Sequence, residues 1–156
     1  MFSSRLIWSV AQKTLASQAG KGVFVIKQIA RKCGGLDTHM YFNLFDKMIM
    51  PVLTYGAEIW GFETKQPIER IQTKFCKFVL GTPLSTANSA VLGECGRLPI
   101  KVYAVIKCIK YWLKLLEMPS SRLPKGTYLM LYNLTEAGRP TWASKIKFIL
   151  YSHGFW

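Results

Sequence analysis

Pro99-Ile100-Lys101-Val102-Tyr103-Ala104-Val105-Ile106-Lys107-Cys108-Ile109-Lys110-Tyr111-Trp112-Leu113-Lys114-Leu115-Leu116-Glu117 is the stretch on which the fold turns. Val102, Val105, Ile106, Ile109, Trp112, Leu113 and Leu116 recur at the three- and four-residue spacing of one helical arc. Tyr103, Cys108, Tyr111 and Leu115 carry apolar surface well beyond that arc and leave Lys107, Lys110 and Lys114 a narrow polar sector. A helix that is apolar almost all round belongs in an interior, so this segment is expected to be the central helix of the domain.

The same periodicity extends upstream. Pro67 suits the first position of a helix that Gly81 closes, with Glu69 in the first turn to complement the dipole. Ile68, Ile71, Phe75, Phe78 and Val79 form its apolar face, and Arg70, Lys74 and Lys77 form a basic stripe. A short helix fits 86–92. Over 8–33, apolar or small residues at Trp8, Ala11, Leu15, Ala19, Gly22, Ile26, Ile29 and Cys33 trace one face, with Lys13, Lys27 and Arg31 opposite and Gly34-Gly35 as the stop. Gly20 and Gly22 each cost ~1 kcal/mol relative to Ala inside a helix and make this the weakest part of the segment. Asp37 is placed to cap a helix through Met40, Tyr41, Leu44, Phe45, Met48 and Ile49, which Pro51 should kink or end. Residues 51–61 then read as a continued, kinked helix or a buried irregular stretch.

Downstream, 118–125 reads as a loop, followed by short helices over 128–135 and 141–152. No segment alternates as a half-buried strand does. The expectation is an all-α irregular bundle of about six to seven helices. Its segments are 2–61, 62–117 and 118–156, gathered into one compact unit.

The chain has 156 residues, 50% of them hydrophobic, which is enough to bury a core without metals or disulfides. The longest uncharged run, 78–93, contains Gly81, Pro83 and a polar cluster, so it lacks the ~20 mostly apolar residues of a spanning helix. The first residues have no secretion-signal pattern. An intracellular protein, nuclear or cytoplasmic, is therefore expected. Cys33, Cys76, Cys95 and Cys108 lack the close pairing of zinc ligands and read as small buried hydrophobes. His39 reads as a residue of a capping turn, not as a partner for Cys33.

The eight carboxylates are scattered, with no paired set to hold magnesium, and no phosphate-binding loop, nucleophile elbow or zinc-protease motif occurs. The expectation is a chain without catalytic residues, cofactor or metal. What remains is charge. Lys plus Arg number 21 against 8 Asp plus Glu, a formal net charge of +13. Lysines at helical spacing can follow a nucleic-acid backbone by displacing its counterions. The candidate residues are Arg70, Lys74 and Lys77 in one stripe, Lys107, Lys110 and Lys114 in another, and Lys27 with Arg31. Trp8, Trp60, Trp112, Trp142 and Trp156 have faces on which bases could stack, but at helical spacing they read as core.

Leu44-Phe45-Asp46-Lys47-Met48-Ile49-Met50-Pro51-Val52-Leu53-Thr54-Tyr55-Gly56-Ala57-Glu58-Ile59-Trp60-Gly61 resembles a segment downstream of the palm in reverse transcriptases of retrotransposons that lack long terminal repeats. Ile68-Glu69-Arg70-Ile71-Gln72-Thr73-Lys74-Phe75-Cys76-Lys77-Phe78-Val79-Leu80-Gly81 is similar to the helix that follows there. Gly93-Glu94-Cys95-Gly96-Arg97-Leu98-Pro99-Ile100 resembles the Gly-Glu-x-Gly-Arg-x-Pro element after it, in the same order and spacing. Phe2-Ser3-Ser4-Arg5-Leu6-Ile7-Trp8-Ser9 is similar to the opening of the thumb, so the likeness spans 2–116. None of these motifs is catalytic. That family polymerises with palm aspartates in a Tyr/Phe-x-Asp-Asp turn, and no such turn occurs here. The nuclease domain and the cysteine/histidine knuckle of some members are missing as well. The resemblance therefore implies the thumb and post-thumb region alone, as in a truncated element copy. Its partner would be the backbone of an RNA template or RNA–DNA duplex, with a polymerase palm or another protein on any uncovered apolar face.

Overall fold

The computed structural model describes residues 8–155, and these are all-α, with no strand among the described residues. Residues 2–7 of the thumb-like opening, and Trp156, lie outside them. Two compact units are present, one built from 8–56 with 63–103 and the other from 57–62 with 104–155. Neither is one continuous segment, and their boundaries do not coincide with 61/62 and 117/118.

In the first unit, α1 (Trp8–Lys32) runs without a break through Gly20 and Gly22. Both glycines face packed neighbours, and only Gly22 lies at a close approach. A Cβ on Gly20 would sit 3.9 Å from Ile71 Cδ1, and one on Gly22 would sit 2.6 Å from Ile49 Cδ1. The cost of glycine is met by packing, because α1 lies against α5 (Gln66–Val79), α3 (Met50–Leu53) and the turn before α3. The buried face of α1 is Gln12, Ala16, Ala19, Ile26 and Ala30: Ala19 and Ile26 are as expected, Gln12, Ala16 and Ala30 replace Ala11, Leu15 and Ile29, and Cys33 is exposed. Gln12 is buried because its amide is fully engaged. Its Nε2 donates to Glu63 O (3.0 Å) and its Oε1 accepts from Lys65 N (2.8 Å), satisfying the backbone ahead of α5. With Gly20 beside Ile71 and Lys27 over Phe78, α1 and α5 run parallel and in step.

Asp37 caps α2 (Thr38–Leu44), its carboxylate accepting from Met40 N at 2.7 Å. Ahead of Pro51 the helix widens into a π-turn over Phe45–Ile49, in which Met50 N–H reaches back to Phe45 O. Proline offers no N–H and crowds the preceding turn, so the chain continues into α3 on a looser turn. Phe45 of that turn stacks on Phe75 of α5 (4.6 Å, 28°). The helix α6 (Asn88–Glu94) adds Val91 and Leu92 to Cys76 in a small core cluster. Gly96 then turns the chain with φ +61° toward α7 (Ile100–Glu117).

The second unit holds most of α7, the short α4 (Ala57–Trp60), α8 (Leu123–Glu136) and α9 (Trp142–Ser152). Leu115, Tyr128 and Ala143 are its core cluster. Trp112 Nε1 donates to Tyr128 Oη (3.0 Å), and Trp142 Nε1 donates to Glu58 O (3.2 Å). A Cβ on Gly61 would lie 2.6 Å from Ala104 O, so only glycine permits this approach to α7. The capping box of α9 joins Thr141 and Ser144. Among the described residues the helices outnumber the expected six to seven because the stretch around Pro51 is divided into several short segments.

The central-helix expectation for α7 is corrected. Its buried stripe is Ile100, Ala104, Cys108 and Leu115, whereas Val102, Ile106, Leu113 and Leu116 are 37–48% exposed. With both faces apolar, periodicity alone gave no basis for choosing the inner one.

Candidate nucleic-acid interface

Arg70 and Lys74 are exposed one turn apart on α5, as the spacing predicts. Lys77 is not part of the stripe. It is only 6% exposed, and its ammonium donates to Leu84 O at 2.7 Å, holding the loop after α5 against the helix. A buried ammonium spent on a backbone carbonyl has no access to a phosphate. The residue that continues the Arg70–Lys74 face is Phe78, four positions on and 39% exposed, which the sequence reading had assigned to the core.

Phe78 meets a cation of α1. The Lys27 ammonium of α1 lies 4.1 Å from the centre of its ring. Arg31, one turn further along α1, is exposed. Around them is an open cavity of about 420 Å3, lined by Lys27, Arg31, Gly34, Gly35, Tyr41 and Phe78. Tyr41 meets Phe78 edge to face (5.6 Å, 90°), so two ring walls stand at right angles. Gly34 and Gly35 take φ of +72° and +114°, and nothing lies within 4 Å of where their Cβ atoms would be. Sequence reasoning missed Tyr41, Phe78 and the glycines as one site, having read them as core and helix stop. The end of α1 and nearby Tyr41 form it with Phe78, which lies far along the chain and is brought there by the packing of α5 on α1.

In the second unit, Lys110 and Lys114 are exposed on α7, while Lys107 is half-buried with its ammonium 4.0 Å from the Glu58 carboxylate. Three of the described tryptophans offer little stacking surface, and Trp156 lies outside the described residues. Trp60 is buried, and Trp112 and Trp142 are half-buried with their indole N–H groups engaged.

The motif residues turn out to bond one another. Arg97 forms an ion pair with Asp46 and lies over the Phe42 and Phe45 rings at 5.0 and 5.3 Å. Glu69 accepts from Ile100 N (3.0 Å) and Lys101 N (2.7 Å), capping α7 from another helix. Their chemistry is that of packing and capping. Among the described residues no group of three or more His, Cys, Asp or Glu is placed to hold a metal ion, and no helix is long and apolar enough to cross a membrane. No family model, curated protein or solved structure matches the chain.

Proposed function

We propose that the protein is a non-catalytic nucleic-acid-binding module, akin to the thumb and post-thumb region of reverse transcriptases from retrotransposons without long terminal repeats. It grips the backbone of an RNA template or RNA–DNA duplex through Arg70, Lys74, Lys27 and Arg31. The observation that carries this reading is the Lys27 ammonium of α1 over the ring of Phe78, the residue that continues the exposed Arg70–Lys74 row of α5. Lys110 and Lys114 offer a further basic edge in the second unit. Motif order supports the origin, and the missing Tyr/Phe-x-Asp-Asp turn supports the lack of polymerase chemistry.

Four phosphate contacts give an expected slope of log affinity against log salt of about −3 to −4. Anisotropy titrations of an RNA–DNA duplex over a salt series measure it. A flat salt response would remove the proposal.

A second reading, a helical protein-interaction module without nucleic-acid binding, is favoured by α7. Val102, Ile106, Ile109, Leu113 and Leu116 follow one another at spacings of four and three, the seam of a two-helix contact, on the face turned away from the core.

A further inference from the structure

We infer that the cavity between the end of α1 and the rings of Tyr41 and Phe78 seats one unpaired nucleotide of a single strand. Its phosphate would lie on Lys27 and Arg31, and its base against the aromatic walls. The inference rests on the nucleic-acid reading above and adds to it a preference for unpaired over paired strands.

Size, charge and shape each contribute. A volume of about 420 Å3 falls at the small end of ligand sites, roughly 300 to 1,000 Å3, and suits one nucleotide. Lys27 and Arg31 stand at i and i+4 on α1 and so present their charges on one side of the cavity. The Phe78 ring holds the Lys27 ammonium at the mouth by cation–π attraction. Because that ammonium occupies one part of Phe78, the base packs against Tyr41 and the remaining exposed ring surface. Buried Ala30 supplies an apolar floor.

The glycines contribute space and no donors. Gly35 N–H already donates to Ala30 O (2.8 Å) and Gly34 N–H to Arg31 O (3.4 Å), so the anion is held by the two cationic side chains. With no side chain at either position, the rim stays low enough for a strand to pass. A paired base must break its pairing as well as its stacking to enter the cavity, whereas an unpaired one has only to unstack.

The test uses the full chain with a 12-nucleotide single-stranded RNA carrying one central 2-aminopurine, and with the same RNA as an RNA–DNA duplex. Binding should quench 2-aminopurine in the single strand. Tyr41→Ala should lower single-strand affinity about tenfold while changing duplex affinity less than twofold. Tyr41→Phe, which keeps the ring, should restore it, and circular dichroism checks that both variants fold. Arg70→Gln, outside the cavity, should weaken both ligands alike. Duplex binding with no quenching, or an equal loss for both ligands in Tyr41→Ala, overturns the nucleotide seat and leaves backbone binding standing. Failure of both ligands to bind overturns the nucleic-acid reading itself.

Discussion

The cysteines differ in ways that chemistry can read out. Burial pushes the Cys76 thiol up from 9.0 to about 12, with nearby Cys95 adding to the effect, and pushes Cys108 up to about 11. Cys108 also donates to Ala57 O at 3.1 Å. Cys33 is exposed, contrary to the expectation that all four cysteines are buried, because α1 packs on the face beside it. Iodoacetamide at pH 8 should therefore modify Cys33 in the native protein long before Cys76 or Cys108, as peptide mass spectrometry would show. Cys108 reacting as fast as Cys33 would contradict its burial. The folded state favours the neutral thiol at both buried sites, so this contribution to stability is whole below pH 9. It is lost as pH rises toward 11 to 12, and denaturant midpoints should fall across that window.

At the scale of the element, α7 depends on a residue outside itself. The first turn of any helix leaves N–H groups without partners, and here the Glu69 carboxylate takes two of them from across the fold. Sequence reading had given Glu69 to the dipole of its own helix, a role requiring only proximity in the chain. Charge-assisted capping is worth about 1 to 2 kcal/mol. Glu69→Ala should thus lower stability by about that amount, and hydrogen exchange should quicken first at Ile100 and Lys101. Unchanged protection there would show that the cap carries no load. The π-turn is a similar case: Pro51 announced a disturbance, and Phe45 within the widened turn stacks on Phe75 from across the fold.

At the scale of the molecule, the two readings of function respond to salt in opposite directions. A net charge of +13 opposes self-association at low ionic strength and draws polyanions in. Raising salt shortens the screening length from about 10 Å at 0.1 M to 3 Å at 1 M, which weakens phosphate contacts and lets apolar surfaces meet. If the α7 seam is an interaction surface, light scattering should show mass increasing with salt, and Leu113→Lys should prevent the increase. A chain that stays monomeric at 1 M salt would count against the seam.

Helical spacing, the absence of strand alternation, the Asp37 cap and the turn glycines were enough to establish an all-α chain and several of its boundaries, because those signals act within a few residues. The excess of cations was equally plain. Which face of α7 is covered, why Lys77 is withdrawn, and how Lys27 and Arg31 come to share a cavity with Tyr41 and Phe78 were decided by tertiary structure. Each depends on which surfaces meet when α1 and α5 pack in step or when a loop carbonyl needs a donor. Periodicity names the apolar faces of a helix, but the partner that buries one of them comes from elsewhere in the chain.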